Sequence, residues 1–192
     1  FVWQDLNSHT QLAAVVENGV PVRFSMSMLS AFTVYDRPPT WKNAALLMPM
    51  IYASLAILLL TALLWPVRWL VRRYHKATLP FSGRDLLGYR LSRVAAWGML
   101  LILVAWGTVV TLMFGDLTNL GGAFDTIIVV VQLLTFVVFL GGLAVFAWYV
   151  WQVWRGKRRW WAKVWSVALV FAGAVMVWFG FASHLLSLGA NY

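Results

Sequence analysis

The sequence predicts an all-α membrane protein, a four-transmembrane-helix up-down bundle preceded by a short β-hairpin segment. Three observations predict it. Hydrophobic residues make up 62% of the 192 residues and charged residues only 11%, against about 45–50% apolar in a soluble domain. Four long runs, Asn43–Trp65, Val94–Phe114, Thr126–Trp154 and Val164–Leu188, contain no Asp, Glu, Lys or Arg. The charges that do occur are sorted by sign between alternate connections. Each run reaches the roughly 20 residues a helix needs to cross about 30 Å of hydrocarbon. A buried helix of a soluble core would read the same way, but four such runs in one small chain exceed what a soluble core can hide.

The first segment, residues 1–42, differs from the rest. Gln11–Glu17 and Val20–Met26 flank Asn18-Gly19. Asn-Gly suits a type I′ hairpin, because both residues tolerate positive φ. In that register Val15 faces Val22 and Ala13 faces Phe24. Pro21 then falls at a non-hydrogen-bonded position, where its missing N–H removes no ladder bond. A lone hairpin is marginal in water, so the expectation is the end of a larger β domain. The chain opens on Phe1, and no basic region or cleavage site precedes an apolar run. It reads as the C-terminal piece of a longer protein. Ser27–Lys42 leads to the membrane, with Pro38-Pro39 as a stiff connector and Trp41 at the interface.

The second segment, residues 43–192, is the four-helix domain, with helices at about 43–65, 84–114, 126–154 and 164–188. Pro49 lies one turn into the first helix and is expected to kink it, and Trp65-Pro66 to mark its bend at the interface. Ser82 and Asp85 have capping-box-like spacing just after Pro80, so the second helix begins before its apolar run. Short links imply antiparallel neighbours.

Orientation follows from Lys and Arg. The connection after the first run carries Arg68, Arg72, Arg73, Lys76, Arg84, Arg90 and Arg93. The connection after the third carries Arg155, Lys157, Arg158, Arg159 and Lys163. Asp85 is the one acid among them. The remaining segments hold Arg23, Arg37 and Lys42 against Asp5, Glu17, Asp36, Asp116 and Asp125. The positive-inside rule puts both basic connections in the cytoplasm. The N-terminal segment, the Gly115–Asp125 loop and the C-terminus then lie outside. Trp65, Trp69, Trp97, Trp148, Trp151, Trp154, Trp160, Trp161 and Trp165 fall toward the cytoplasmic interface, the level indole prefers. The net charge of +9 therefore reads as membrane topology with attraction to anionic lipid heads, not as nucleic-acid binding.

Chemistry is hard to place on this chain. There is no cysteine, which excludes disulfides, thiol catalysis and cysteine metal sites. His184 is the one ionisable residue near a span, and an interfacial or packing role suits it best. A haem-binding bundle needs histidine pairs on facing helices, and His9 and His75 lie outside the runs. Ser183 and His184 are adjacent on one helix, about 100° apart, and cannot pair with each other. No His-Glu-x-x-His, phosphate-binding glycine loop or Ser-x-x-Lys occurs. A transporter usually carries charge inside its bundle. Here the interior polar groups are Thr61, Thr108, Thr111, Gln132, Thr135 and Ser166, suited to helix–helix hydrogen bonds. Gly98, Gly107, Gly141, Gly142, Gly173 and Gly180 read as close-packing positions. No catalytic, cofactor-binding or metal-ligating residue is assigned, and no cofactor is expected.

Three stretches carry a resemblance: Phe1-Val2-Trp3-Gln4-Asp5 with Val22-Arg23-Phe24-Ser25-Met26; Leu63-Leu64-Trp65-Pro66-Val67 with Arg72-Arg73-Tyr74; and Trp178-Phe179-Gly180-Phe181-Ala182-Ser183-His184-Leu185-Leu186-Ser187-Leu188 closing on Asn191-Tyr192. In these the chain resembles the C-terminal membrane region of bacterial serine hydrolases related to class C β-lactamases and penicillin-binding proteins. The resemblance implies a parent with an extracytoplasmic catalytic domain that uses a Ser-x-x-Lys nucleophile. None of that family's catalytic residues maps onto this chain, so the fragment itself is not expected to be an enzyme. The function it implies is membrane anchoring of that hydrolase domain in the bacterial cytoplasmic (inner) membrane. The other reading is a small integral membrane subunit or sensor that binds a lipid or protein partner between its helices. Gln132, Thr135 or His184 lining one cavity would favour it.

Overall fold

The computed structural model describes residues 2–4, 10–28, 34–37, 43–76, 83–115, 125–156, 158–183 and 185–186. The chain forms two compact units, Phe1–Met48 and Pro49–Tyr192. His9, Pro38-Pro39, Trp41, Pro80, Ser82 and His184 lie outside the described residues.

The first unit holds four strands: β1 (Val2–Gln4), β2 (Gln11–Glu17), β3 (Val20–Met26) and β4 (Tyr35–Asp36). They form one antiparallel sheet in sequence order. Asn18 and Gly19 have φ of 53° and 77°, the double positive φ of a type I′ turn. The register differs from the expected one beyond the turn. Glu17 pairs with Val20 and Val16 with Pro21, but Val15 then pairs with Arg23, Ala14 with Phe24 and Leu12 with Met26. Val22 is the extra residue of a β-bulge.

The bulge has a physical consequence. A one-residue shift moves side chains to the other face of a sheet. Here it puts Phe24 and Met26 on the face of Leu12 and Ala14, beside Trp3 and Tyr35. The Phe24 and Tyr35 rings stack with centroids 5.0 Å apart. The opposite face receives Arg23, which pairs with Asp36 at 2.6 Å. The Val22 carbonyl accepts the Arg37 N–H at 2.8 Å. An unbulged hairpin would have split this apolar set between the two faces.

Four helices follow: α1 (Ala44–Tyr74), α2 (Gly83–Gly115), α3 (Asp125–Arg155) and α4 (Trp160–Ala182). All four are long and apolar enough to cross a membrane. Asn43 caps α1, its side-chain oxygen accepting the Ala45 N–H at 3.0 Å. α1 continues through Pro66 to Tyr74. Proline removes one backbone bond, and the turns on either side carry the helix past it. Arg72 and Arg73 in the last turn complement the helix dipole.

Close backbone approach joins α2 to α3 and α3 to α4, whereas α1 is held through side chains. The buried residues of α3 are Ile128, Gln132, Thr135, Phe139, Gly142, Phe146, Tyr149 and Val153. They alternate four and three apart throughout, the seven-residue spacing of coiled-coil packing. Glycine makes room at these seams. A Cβ on Gly142 would lie 2.6 Å from Met99 Cε, and one on Gly173 would lie 2.9 Å from Phe146 Cδ2. Gly98 faces Val138 and Gly180 faces Leu186 and Phe139. Among the described residues, nothing lies within 4 Å of a Cβ on Gly107 or Gly141, so neither makes room at a described seam.

Candidate functional site

A cavity of about 580 Å³ opens where the C-terminal half of α1 meets the first turns of α2, the end of α3 and the start of α4. Helical spacing brings its lining together. Thr61, Trp65, Arg68 and Arg72 recur on one side of α1 at four- and three-residue steps. Tyr89 and Arg93 stand one turn apart on α2, as do Tyr149 and Val153 on α3. Arg158 and Arg159 precede α4, and Trp161 and Trp165 follow on it.

Five guanidinium groups thus line one cavity: Arg68, Arg72, Arg93, Arg158 and Arg159. Among the described residues, no carboxylate is on the lining. Among the described residues only Arg158 of the five reaches one, Asp85 at 2.9 Å. Arg93 is the unusual member. It is 5% exposed. Its Nη1 donates to the Tyr89 carbonyl at 3.1 Å and to Ser92 Oγ at 2.8 Å. Its guanidinium lies 3.8 Å from the Tyr89 ring centroid and 5.3 Å from that of Tyr149. These neighbours are neutral. An ion withdrawn from water without a counter-charge costs on the order of several kcal/mol, and the ring faces offset only part of that.

α4 adds to the positive potential. Its N-cap is Arg159, and no side chain caps the first turn. Ala162 N–H closes the first turn onto the Arg159 carbonyl at 2.9 Å, and the positive end of the helix dipole lies at Arg159, on the cavity lining. Trp165 Nε1 donates to Thr61 Oγ1 at 3.0 Å, which ties α1 to α4 on the cavity wall. In chemical terms the arrangement is a concave, cationic, aromatic-walled site for an anion.

The polar residues expected inside the bundle divide. Thr61 and Thr135 are buried and bond across helices, Thr135 Oγ1 accepting Trp106 Nε1 at 2.8 Å. Gln132 and Ser166 are buried. Thr108 and Thr111 are exposed and donate back to the Val104 and Gly107 carbonyls, so they face out of the bundle. A hydroxyl can do this in lipid because its own helix satisfies it. Gln132 and Thr135 do not line the cavity, which lies instead at the basic end. Around that end, cations sit over exposed indoles: Arg73 over Trp69, Arg155 over Trp151 and Lys163 over Trp154, at 5.3, 4.0 and 5.6 Å.

Counting charges by connection missed the convergence of the arginines. Arg68–Arg72 and Tyr89–Arg93, each spaced by one helical turn, were the available signal. No protein-family model matches the chain, and neither a curated protein nor a solved structure is similar to it.

Proposed function

We propose that this chain is the membrane-anchoring C-terminal domain of an extracytoplasmic serine hydrolase related to class C β-lactamases, held in the bacterial cytoplasmic membrane. The observation that carries the reading is the order of parts. A β-unit precedes the first of four apolar helices, and the basic residues gather from the end of that helix onward. The positive-inside rule then sets the β-unit outside, where a hydrolase domain joined to it would meet its substrate. The three sequence stretches given above support the hydrolase parent. The mechanism is tethering, since a spanning helix is an effectively irreversible anchor.

The test compares the full-length gene product with a version cut before Asn43. Both are fractionated and labelled with a fluorescent β-lactam, which acylates Ser-x-x-Lys enzymes. The reading expects the cut version to leave the membrane and still label. A full-length gene product with no domain upstream of this chain would end it. A stable cut protein that no longer labels would instead assign the helices a part in building the active site.

A second reading, a membrane subunit that binds a lipid or a partner between its helices, is favoured by one observation. One spanning helix already suffices for tethering, yet four are present and they enclose a cavity.

A further inference from the structure

We propose that the arginine cavity at the basic end of the bundle binds a phosphate-ester headgroup, drawn from an anionic phospholipid of the adjoining leaflet. The inference does not depend on the hydrolase parent.

Four independent observations converge on it. Arg93 is buried, and its partners among the described residues are neutral acceptors and aromatic rings. Four further guanidinium groups share the cavity, and among the described residues its lining contains no acid. The start of α4, which has no side-chain cap, adds a positive dipole end at Arg159. The cavity has the volume of an ordinary small-molecule site, about 300–1,000 Å³. Guanidinium is the side chain that grips phosphate through two parallel N–H bonds. A phosphate would supply the counter-charge that Arg93 lacks and quiet the repulsion among its neighbours.

The same surroundings favour a lipid as the source. Leu64, Trp65, Trp161 and Trp165 make part of the wall apolar. On α1 the exposed residues beside Trp65 include Leu64 and Trp69, a surface along which acyl chains can lie. Because α1 is held by side chains and not by close backbone approach, the gap at this end accepts a headgroup without parting packed helices.

The experiment uses the whole chain in phosphatidylcholine nanodiscs, with and without phosphatidylglycerol, and follows thermal unfolding. Phosphatidylglycerol is expected to raise the melting temperature by about 5 °C or more, as a ligand bound to the folded state does. The rise should vanish in Arg68→Gln/Arg72→Gln, whose side chains lie at the more open rim. It should persist in Arg73→Gln/Arg90→Gln, which removes the same charge from exposed positions outside the cavity. Arg93→Lys keeps the charge but loses the planar fork, so it should shrink the rise. A parallel arm adds glycerol 1-phosphate to phosphatidylcholine nanodiscs. Stabilisation there with the same arginine dependence upholds the phosphate site and assigns it to a ligand from water. Equal stabilisation of the rim variant and the wild type, equal loss in the exposed pair, or no effect of either additive would overturn the proposal.

Discussion

Single side chains make separable contributions. Arg23 holds the Asp36 carboxyl below its ordinary value, first through the side-chain hydrogen bond, with desolvation opposing and the guanidinium charge adding. A carboxyl depressed in the folded state stabilises above the unfolded pKa, near 3.9, and that contribution is lost as pH falls through the lower folded value. The Asp36 carboxyl carbon, followed by NMR in the whole chain, should titrate below the usual carboxylate range. It should return to that range in Arg23→Gln. The glycines give a second contrast. The contact at 173 is a carbon of the rigid Phe146 ring, which cannot bend away from an added side chain. Gly173→Val should lose about 1–3 kcal/mol to overpacking. Gly142→Ala meets the terminal methyl of Met99, which can swing aside, and should lose less despite the shorter distance. Denaturant unfolding in detergent would read both.

At the scale of elements, the limits of the hairpin were legible because Asn18-Gly19 admits few other turns. Its register was not. The bulge at Val22 is decided by what it gathers, Phe24 and Met26 with Leu12 and Ala14, and by the partner β4, which turn chemistry does not encode. The helices were legible for a related reason. In lipid the backbone must satisfy itself, so long apolar runs leave one outcome. Their facing surfaces were harder to read, since nearly every residue is apolar. The α3 seam is marked by its small and polar members, Gln132, Thr135, Gly142 and Tyr149, rather than by hydrophobicity. The Trp106–Thr135 bond crosses from α2 to α3. Thr135→Val should destabilise the bundle by about 1 kcal/mol, the scale of polar contacts between membrane helices. Thr61→Val should release Trp165 and loosen α1 preferentially. Hydrogen exchange would show faster exchange in α1 than in α3.

For the whole molecule, four apolar helices and the sorting of charge describe a multi-pass membrane domain. The arginine-lined cavity gathers residues from all four helices and the turn before α4. The arginines that the positive-inside rule reads as topology signals are also the walls of that site. The positive-inside rule would set them at the inner face of the bilayer. The chain has no cysteine, so single introduced cysteines report side without background. The most direct test is labelling of Asn18→Cys, His75→Cys, Trp160→Cys and Asn191→Cys by an impermeant maleimide in intact spheroplasts. The account predicts that Asn18→Cys and Asn191→Cys label at once, and that His75→Cys and Trp160→Cys label only after permeabilisation. Labelling of His75→Cys from outside while Asn18→Cys stays protected would invert the topology. It would also contradict the anchoring of an extracytoplasmic enzyme by this domain.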